Sequence, residues 1–370
     1  MSSVHLGPDH ERFRRRVRAL LESEVVPRLP EWERARHIPR SGWRLLGTAG
    51  LLGLATSTEH DLFHSLVLLE ELGRTGYSGF RAAVAVHAYM ATHYLPRTSP
   101  RLTTATRGES VGALAITEPG AGSDLAALTT RAHPDGDWLV LDGHKTMITN
   151  GTTADFLVVA TRTGEAERGP TGLSLVVVDA PTTGLSATPI RLPGWHCADT
   201  ADIHLTNVRV PRDNVLGKPN TGFYQLMRGL QTERVVAAAL ALGGIERCLA
   251  DTQDFARART VFGTPLATSQ VVRHALASMA TELAAARTLT YDAAWRLSRG
   301  DLPVAECSMA KLYATELACR VADKCLQLHG SHGYQADSPI ARAHTESRAA
   351  TMAAGPSEVM LDLIATELLT

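Results

Sequence analysis

The chain has 370 residues, with 37 basic and 38 acidic side chains, a formal net charge of −1 and 44% hydrophobic residues. That length predicts two or three domains with sizeable cores, and arginines spread without a basic block argue against nucleic acid or an anionic membrane as partner. The five cysteines, Cys197, Cys248, Cys307, Cys319 and Cys325, form no C-x-x-C pair, so free thiols in a reducing compartment are expected and a zinc site is not.

The first residues are charged (Glu11, Arg12, Arg14, Arg15, Arg16) with no apolar run behind them, which does not read as a signal peptide. No apolar run approaches the roughly 20 residues of a membrane-spanning helix. A cytoplasmic globular protein is expected.

From His10 to about Arg107 the pattern is helical. Phe13, Val17, Leu20, Leu21 and Val25 recur at helix spacing, and Pro27 and Pro30 are expected to end that segment. Trp43, Leu45 and Leu46, then Leu51, Leu52 and Leu54, predict a second helix broken at Gly50 and Gly53. Leu62 to Leu72 predicts a third, closed by Gly73, and Phe80 to Tyr94 a fourth.

At Val111 the character changes. The apolar run Val111 to Ile116 has strand length and leads into Thr117-Glu118-Pro119-Gly120-Ala121-Gly122-Ser123-Asp124. Pro119 fixes φ and lacks a donor, while Gly120 and Gly122 permit positive φ and close backbone approach. With two hydroxyls, two carboxylates and free main-chain N–H groups, this is either an ordinary strand turn or a loop that holds a phosphate at a sheet end. Trp138 to Gly143 reads as a strand entering a turn, Thr146 to Thr149 as a second strand, and Asn150-Gly151 as a turn. Phe156 to Ala160, Leu173 to Val178 and Ala201 to Leu205 continue a compact β-domain of about 110 residues.

Beyond Gly222 the chain is helical again: Phe223 to Phe255, a helix capped by Ser269 that runs to Gly300, Val304 to Leu328, and Glu358 to Leu369 capped by Ser357. The expected fold is α+β, with an N-terminal helical domain (1–112), a central antiparallel β-domain (113–222) and a C-terminal four-helix bundle (223–370).

The Thr117–Asp124 string resembles the T-E-P-x-A-G-S-D signature of the acyl-CoA dehydrogenase family. Gly143-His144-Lys145-Thr146-Met147-Ile148-Thr149-Asn150-Gly151 is similar to that family's G-x-K-x-W-I-T-N-G. Further matches follow in order: Thr206 to Pro211 with Asn214 and Leu216-Gly217, then Arg259 to Gly263 with Pro265 and Gln270. Gln327 to Tyr334 and Ala354 to Glu358 complete the series. The matches keep register over nearly the whole chain, and the sequence is identified as a member of the family.

The resemblance implies FAD between the β-domain and the C-terminal bundle. The Ile116 main chain and Thr117 would face the pyrimidine edge of the flavin, Ser123 the pyrophosphate and Thr149 the flavin N5, since hydroxyls and N–H groups at strand ends are rigid donors to a reduced flavin. Met147 stands where an aromatic residue usually packs on the ring, and Ser331, Pro356 and Glu358 fall at further cofactor positions. Arg259, Phe262, Gln270 and Gln327 correspond to residues reaching a neighbouring subunit's FAD, which implies a homo-oligomer, dimer or tetramer.

The family's reaction needs a carboxylate to remove an α-proton while the flavin takes a β-hydride. The commonest base position falls on Ala354, which cannot do acid–base work. A branch resembling isovaleryl-CoA dehydrogenase carries its Glu on the first long C-terminal helix before an Arg, which lands on Glu233-Arg234, and pairs it with Ala-Gly at the other position, as in Ala354-Gly355. Glu233 is therefore the expected base, Arg234 a substrate-binding residue, and the Ala354 N–H a donor to the thioester oxygen. The alternative for Glu233 is an exposed helix carboxylate paired with a neighbouring charge.

Departures from the family pattern are Met147, His196 in place of Arg, Pro356 in place of Thr, and Thr345-Glu346-Ser347 in place of Arg-Asp-Ala. Thr56 to Asp61 and Arg97 to Arg107 stand in for longer segments near the acyl pocket. The expected activity is FAD-dependent α,β-dehydrogenation of a short or branched acyl thioester, on CoA or an acyl carrier protein, in a specialised pathway rather than long-chain oxidation. Electrons would pass to an electron-transfer flavoprotein or another acceptor. A flavin monooxygenase on the same fold and a non-catalytic oligomeric scaffold are the competing readings.

Overall fold

The computed structural model describes residues 5–165 and 168–369. Contacts group the chain into two compact units. One gathers Met1–Leu29, His60–Arg81 and Gln231–Thr370; the other gathers Pro30–Glu59 and Ala82–Leu230.

The first unit is helical. It holds α1 (Pro8–Leu20), α4 (Leu62–Arg74), the first turn of α5 (Ser78–Ala85), most of α7 (Gly222–Ala258), α8 (Gln270–Ser298), α9 (Val304–His329), α10 (Pro339–Ala350) and α11 (Ser357–Leu369). Glycines let α4 and α7 touch backbone to backbone: a Cβ on Gly243 would lie 1.9 Å from the Glu70 carbonyl oxygen, and one on Gly73 2.3 Å from that of Leu240. Glu70 and Glu71 are buried beside this crossing and survive because arginines meet them. Arg14 Nη1 lies 2.8 Å from Glu70, Arg18 Nη2 2.8 Å from Glu71, and Arg287 Nε 3.1 Å from Glu70.

At the start of α4, Asp61 is the N-cap and accepts from the His64 N–H at 3.1 Å. His10 Nε2 lies 3.0 Å and His64 Nδ1 2.8 Å from the same Asp61 oxygen, a donor set within reach of one metal ion. The Gly7 N–H donates to His10 Nδ1 at 3.0 Å, which puts the proton of a neutral ring on Nε2, facing Asp61. That tautomer makes the group an anchor of α1 on α4 rather than a ligand set.

The second unit is built on a sheet of β1 (Gly112–Ala115), β2 (Arg131–Asp135), β3 (Trp138–Ile148), β4 (Phe156–Arg162), β5 (Leu173–Asp179), β6 (Leu185–Pro189), β7 (Ala201–Pro211) and β8 (Val215–Leu216). The order is β6-β7-β3-β2-β4-β5-β8, with β1 added on β4. β4 is buried along its whole length. Its alternate residues serve two cores, Leu157 and Val159 on one face and Phe156, Val158 and Ala160 on the other. The same unit contains α2 (Leu29–Ala35, from Pro30 on), α3 (Arg40–Thr48) and α6 (Pro100–Thr106).

Several elements differ from expectation. The sheet is mostly antiparallel, but β1 pairs with β4 in parallel from Gly112↔Phe156 to Ala115↔Val159, and β2 meets β4 in parallel at Arg131↔Arg162. Asp142-Gly143 is no turn: β3 runs through it with a register shift between Leu141 and Gly143. Gly143 is needed there because a Cβ would lie 2.3 Å from the Thr130 hydroxyl. Pro30 does not stop the helical path, since it occupies the first turn of α2, where a missing N–H costs nothing. Ser269 is the N-cap of α8 but its hydroxyl makes no capping bond, and Ser357 is already inside α11. α10, which buries only Ile340, Glu346 and Ser347 and so shows little apolar periodicity, adds a fifth helix to the four expected.

Candidate active site

In the sheet unit, the Thr117–Asp124 loop follows β1 and is fixed by a buried ion pair. Glu118 accepts from Lys145 Nζ at 2.8 Å, from the Thr129 N–H and hydroxyl at 2.7 Å each, and from the Thr130 N–H at 2.9 Å. Lys145, fully buried, also donates to the Ile116 carbonyl at 3.0 Å, and the Thr146 N–H to the Thr117 carbonyl at 2.9 Å. Burial alone would push the Glu118 carboxyl up; Lys145 and the threonine donors outweigh it and hold it at about 2. Burial brings the Lys145 ammonium down to about 8 against the pull of Glu118.

This pair sets Thr117 beside the Thr146–Thr149 segment. Met147, at a second register shift in β3, has φ 60° and is 50% exposed. Among the described residues nothing takes the hydroxyls of Thr117, Ser123 or Thr149. Neither Gly120 nor Gly122 uses the positive φ open to it; the space where a Cβ would stand is open for 4 Å around each. The glycines serve close approach rather than an unusual turn.

In the helical unit, Glu233 and Arg234 lie on α7 and are each only 5% exposed. Glu233 is therefore buried, not exposed as the alternative reading had it. Arg234 Nη1 donates to Gln231 Oε1 at 2.8 Å and to Ser308 Oγ of α9 at 3.3 Å, and burial lowers its guanidinium from the ordinary value.

Ala354 occupies the turn between α10 and α11 with φ 55°, followed by Gly355 at 97°. No acceptor among the described residues takes the Ala354 N–H. Lys311 Nζ, from α9, donates to the carbonyls of Thr351 at 3.0 Å and Gly355 at 2.6 Å. Through Ser308 and Lys311, α9 reaches both the neighbour of Glu233 and the turn of Ala354.

Arg259, Phe262 and Gln270 lie where α7 passes through a small hairpin, β9 (Thr260–Val261) with β10 (Thr264–Pro265), into α8, and all three are exposed. Phe262, at the hairpin tip with φ 53°, is 102% exposed and belongs to no core. Gln327 and Ser331 at the end of α9 and Glu358 in α11 are exposed, and Pro356 is half-buried.

Sequence profiles for the acyl-CoA dehydrogenase N-terminal, middle and C-terminal domains match residues 7–99, 113–208 and 220–369. The chain belongs to the acyl-CoA dehydrogenase family. It is similar to the mitochondrial long-chain specific acyl-CoA dehydrogenase of Sus scrofa, 34% identical over 380 residues that cover 97% of this chain and 86% of the relative. An acyl-CoA dehydrogenase structure from Geobacillus kaustophilus superposes with a TM-score of 0.94 at 36% identity, over 99% of this chain and 100% of that one. A prolyl acyl carrier protein oxidase superposes with a TM-score of 0.91 at 26% identity, over 98% and 99%.

Acyl-CoA dehydrogenases are oxidoreductases that use FAD and act on CoA thioesters. The residues present fit that cofactor: three unclaimed hydroxyls, an open glycine loop and a half-exposed apolar Met147 offer what a polar heterocycle, a phosphate and a ring face need. Sequence reasoning missed two buried lysines at this acyl-CoA dehydrogenase's site features. Lys145 lay in a quoted string but its bond to Glu118, 27 residues away, carries no local signal. Lys311 lies in an Ala-rich stretch of α9, where a lysine carries no local signal of burial.

Proposed function

We propose that the protein dehydrogenates a short or branched acyl thioester at its α and β carbons, with Glu233 as the base. The observation that carries this is the burial of Glu233 together with alanine at 354: the carboxylate is held away from water on α7, and the commoner base position has only a main-chain donor left. FAD supplies the acceptor for the β-hydride. The chain's own part is to bind the thioester oxygen at the Ala354 N–H, which acidifies the α-carbon, and to receive the α-proton on a Glu233 carboxylate oxygen. Arg234 is proposed to hold the helix turn that carries Glu233 through its bonds to Gln231 and Ser308.

The thioester is carried by CoA or by an acyl carrier protein. The shortened segments at Thr56–Asp61 and Arg97–Arg107 argue against a long acyl chain, and likeness to an oxidase named for a carrier protein supports a carrier-bound substrate. The exposed Arg259, Phe262, Gln270 and Gln327 support a homo-oligomer in which each chain completes a neighbour's cofactor site. Electrons leave to an electron-transfer flavoprotein or another acceptor.

The test is anaerobic: purified yellow protein mixed with a panel of short and branched acyl groups, each on CoA and on carrier protein. Bleaching of the flavin by one member supports dehydrogenation and names the substrate. No bleaching by any member, with NADH-dependent oxygen uptake in a parallel aerobic assay, would favour the monooxygenase chemistry in its place.

A further inference from the structure

Lys311 has no exposed surface, and among the described residues its hydrogen bonds go only to main-chain carbonyls, those of Thr351 and Gly355. A buried ammonium without a hydrogen-bonded carboxylate is costly to keep. The two carbonyls it holds stand on either side of Ala354. That residue has a left-handed backbone, a conformation unfavourable for an alanine that needs its surroundings to enforce it. Ser308, three residues earlier on the same face of α9, holds Arg234 next to Glu233.

We propose that Lys311 is a positioning residue for the acyl thioester. Its two bonds lock the Thr351–Gly355 turn so that the Ala354 N–H points at the thioester oxygen, and its charge favours the negative charge that develops there. The proposal rests on the reading of Ala354 and Glu233 given above. The groups around the ammonium are Arg234 from α7, Glu316 and Cys319 from α9 itself, Glu358 from α11, and the C-terminal carbonyl of α10 at Thr351. Burial, then Arg234, brings it down to about 8, with Glu316, Glu358 and Cys319 opposing. It is therefore charged below about pH 8 and loses its charge above.

Isotope-edited infrared spectroscopy of crotonyl-CoA bound to the holoenzyme reads polarisation of the thioester carbonyl, which a merely structural lysine would not move. Binding to the wild type should lower the carbonyl stretch. Lys311→Met should keep FAD, lose most of that lowering, and lose about tenfold or more in kcat with KM changed less than about threefold, a smaller loss than the 10²–10³ of deleting an oxyanion donor. A variant with wild-type lowering overturns the role of Lys311 alone. A wild type with no lowering overturns the Ala354 reading and this proposal with it. If the variant fails to fold, the wild type decides: the lowering must shrink as pH rises through about 8, and a lowering that stays flat from about pH 6 to about pH 10 overturns the proposal.

Discussion

Glu118 and Lys145 show how two buried residues hold the strand-end loop that is proposed to meet the cofactor. Each lies in a string that marks the family, yet their partnership spans 27 residues and was not legible, because sequence spacing reports faces of elements and not which loop meets which strand. Glu118→Gln leaves Lys145 buried and unpaired, and should cost about 3–5 kcal/mol at neutral pH by chemical denaturation. The carboxyl sits at about 2, below its ordinary 4.5, so its contribution to stability is complete above about pH 4.5 and is lost as pH falls toward 2. The Tm difference between wild type and Glu118→Gln should accordingly narrow across that interval; a constant difference would show that the pair does not hold the loop. The proposal for Glu233 has a different ground: two substitutions that make sense only together, an acid on α7 and an alanine at 354. All five cysteines are free, as the lack of C-x-x-C spacing suggested, and burial pushes Cys248 and Cys307 up to about 12, which leaves those thiols inert.

Among the elements, strong periodicity was the reliable guide and weak periodicity the source of error. α4 and α7 were found within a few residues because their apolar stripes are continuous, whereas α10 buries little and β6 is largely exposed, so neither had a pattern to find. Gly143 was misread because a glycine inside a strand and a glycine in a turn look alike until the neighbouring Thr130 is seen. The helix crossing at Gly73 and Gly243 shows what a glycine inside a helix can be for. Gly243→Ala would drive a methyl to within 1.9 Å of the Glu70 carbonyl oxygen, and the forced separation should destabilise the protein by about 1–3 kcal/mol despite alanine's better helix propensity. A gain in Tm on that substitution would mean that the two helices part without cost.

For the molecule as a whole, the α, β, α order was legible, as was the family, because several matches in register exclude coincidence in a way no single motif does. Less legible was that contact density joins α1 and α4 to the C-terminal helices, since a helix's apolar face does not name its partner. No helix among the described residues is long and apolar enough to cross a membrane. The fully exposed Phe262 makes an assembly testable without disturbing the monomer's core: Phe262→Ser should reduce the mass measured by light scattering at low concentration and speed FAD loss, since a buried aromatic anchor at an interface is typically worth about 2 kcal/mol or more. Unchanged mass and FAD retention would separate Phe262 from any subunit contact.

The proposed base is a buried glutamate on α7, and one measurement addresses it directly. Glu233→Gln holoenzyme should retain its FAD spectrum and, mixed anaerobically with the acyl thioester that bleaches the wild type, stay yellow, with a turnover rate reduced by at least about 10²-fold. Full bleaching of Glu233→Gln at the wild-type rate would contradict the assignment and send the search for the base to another residue.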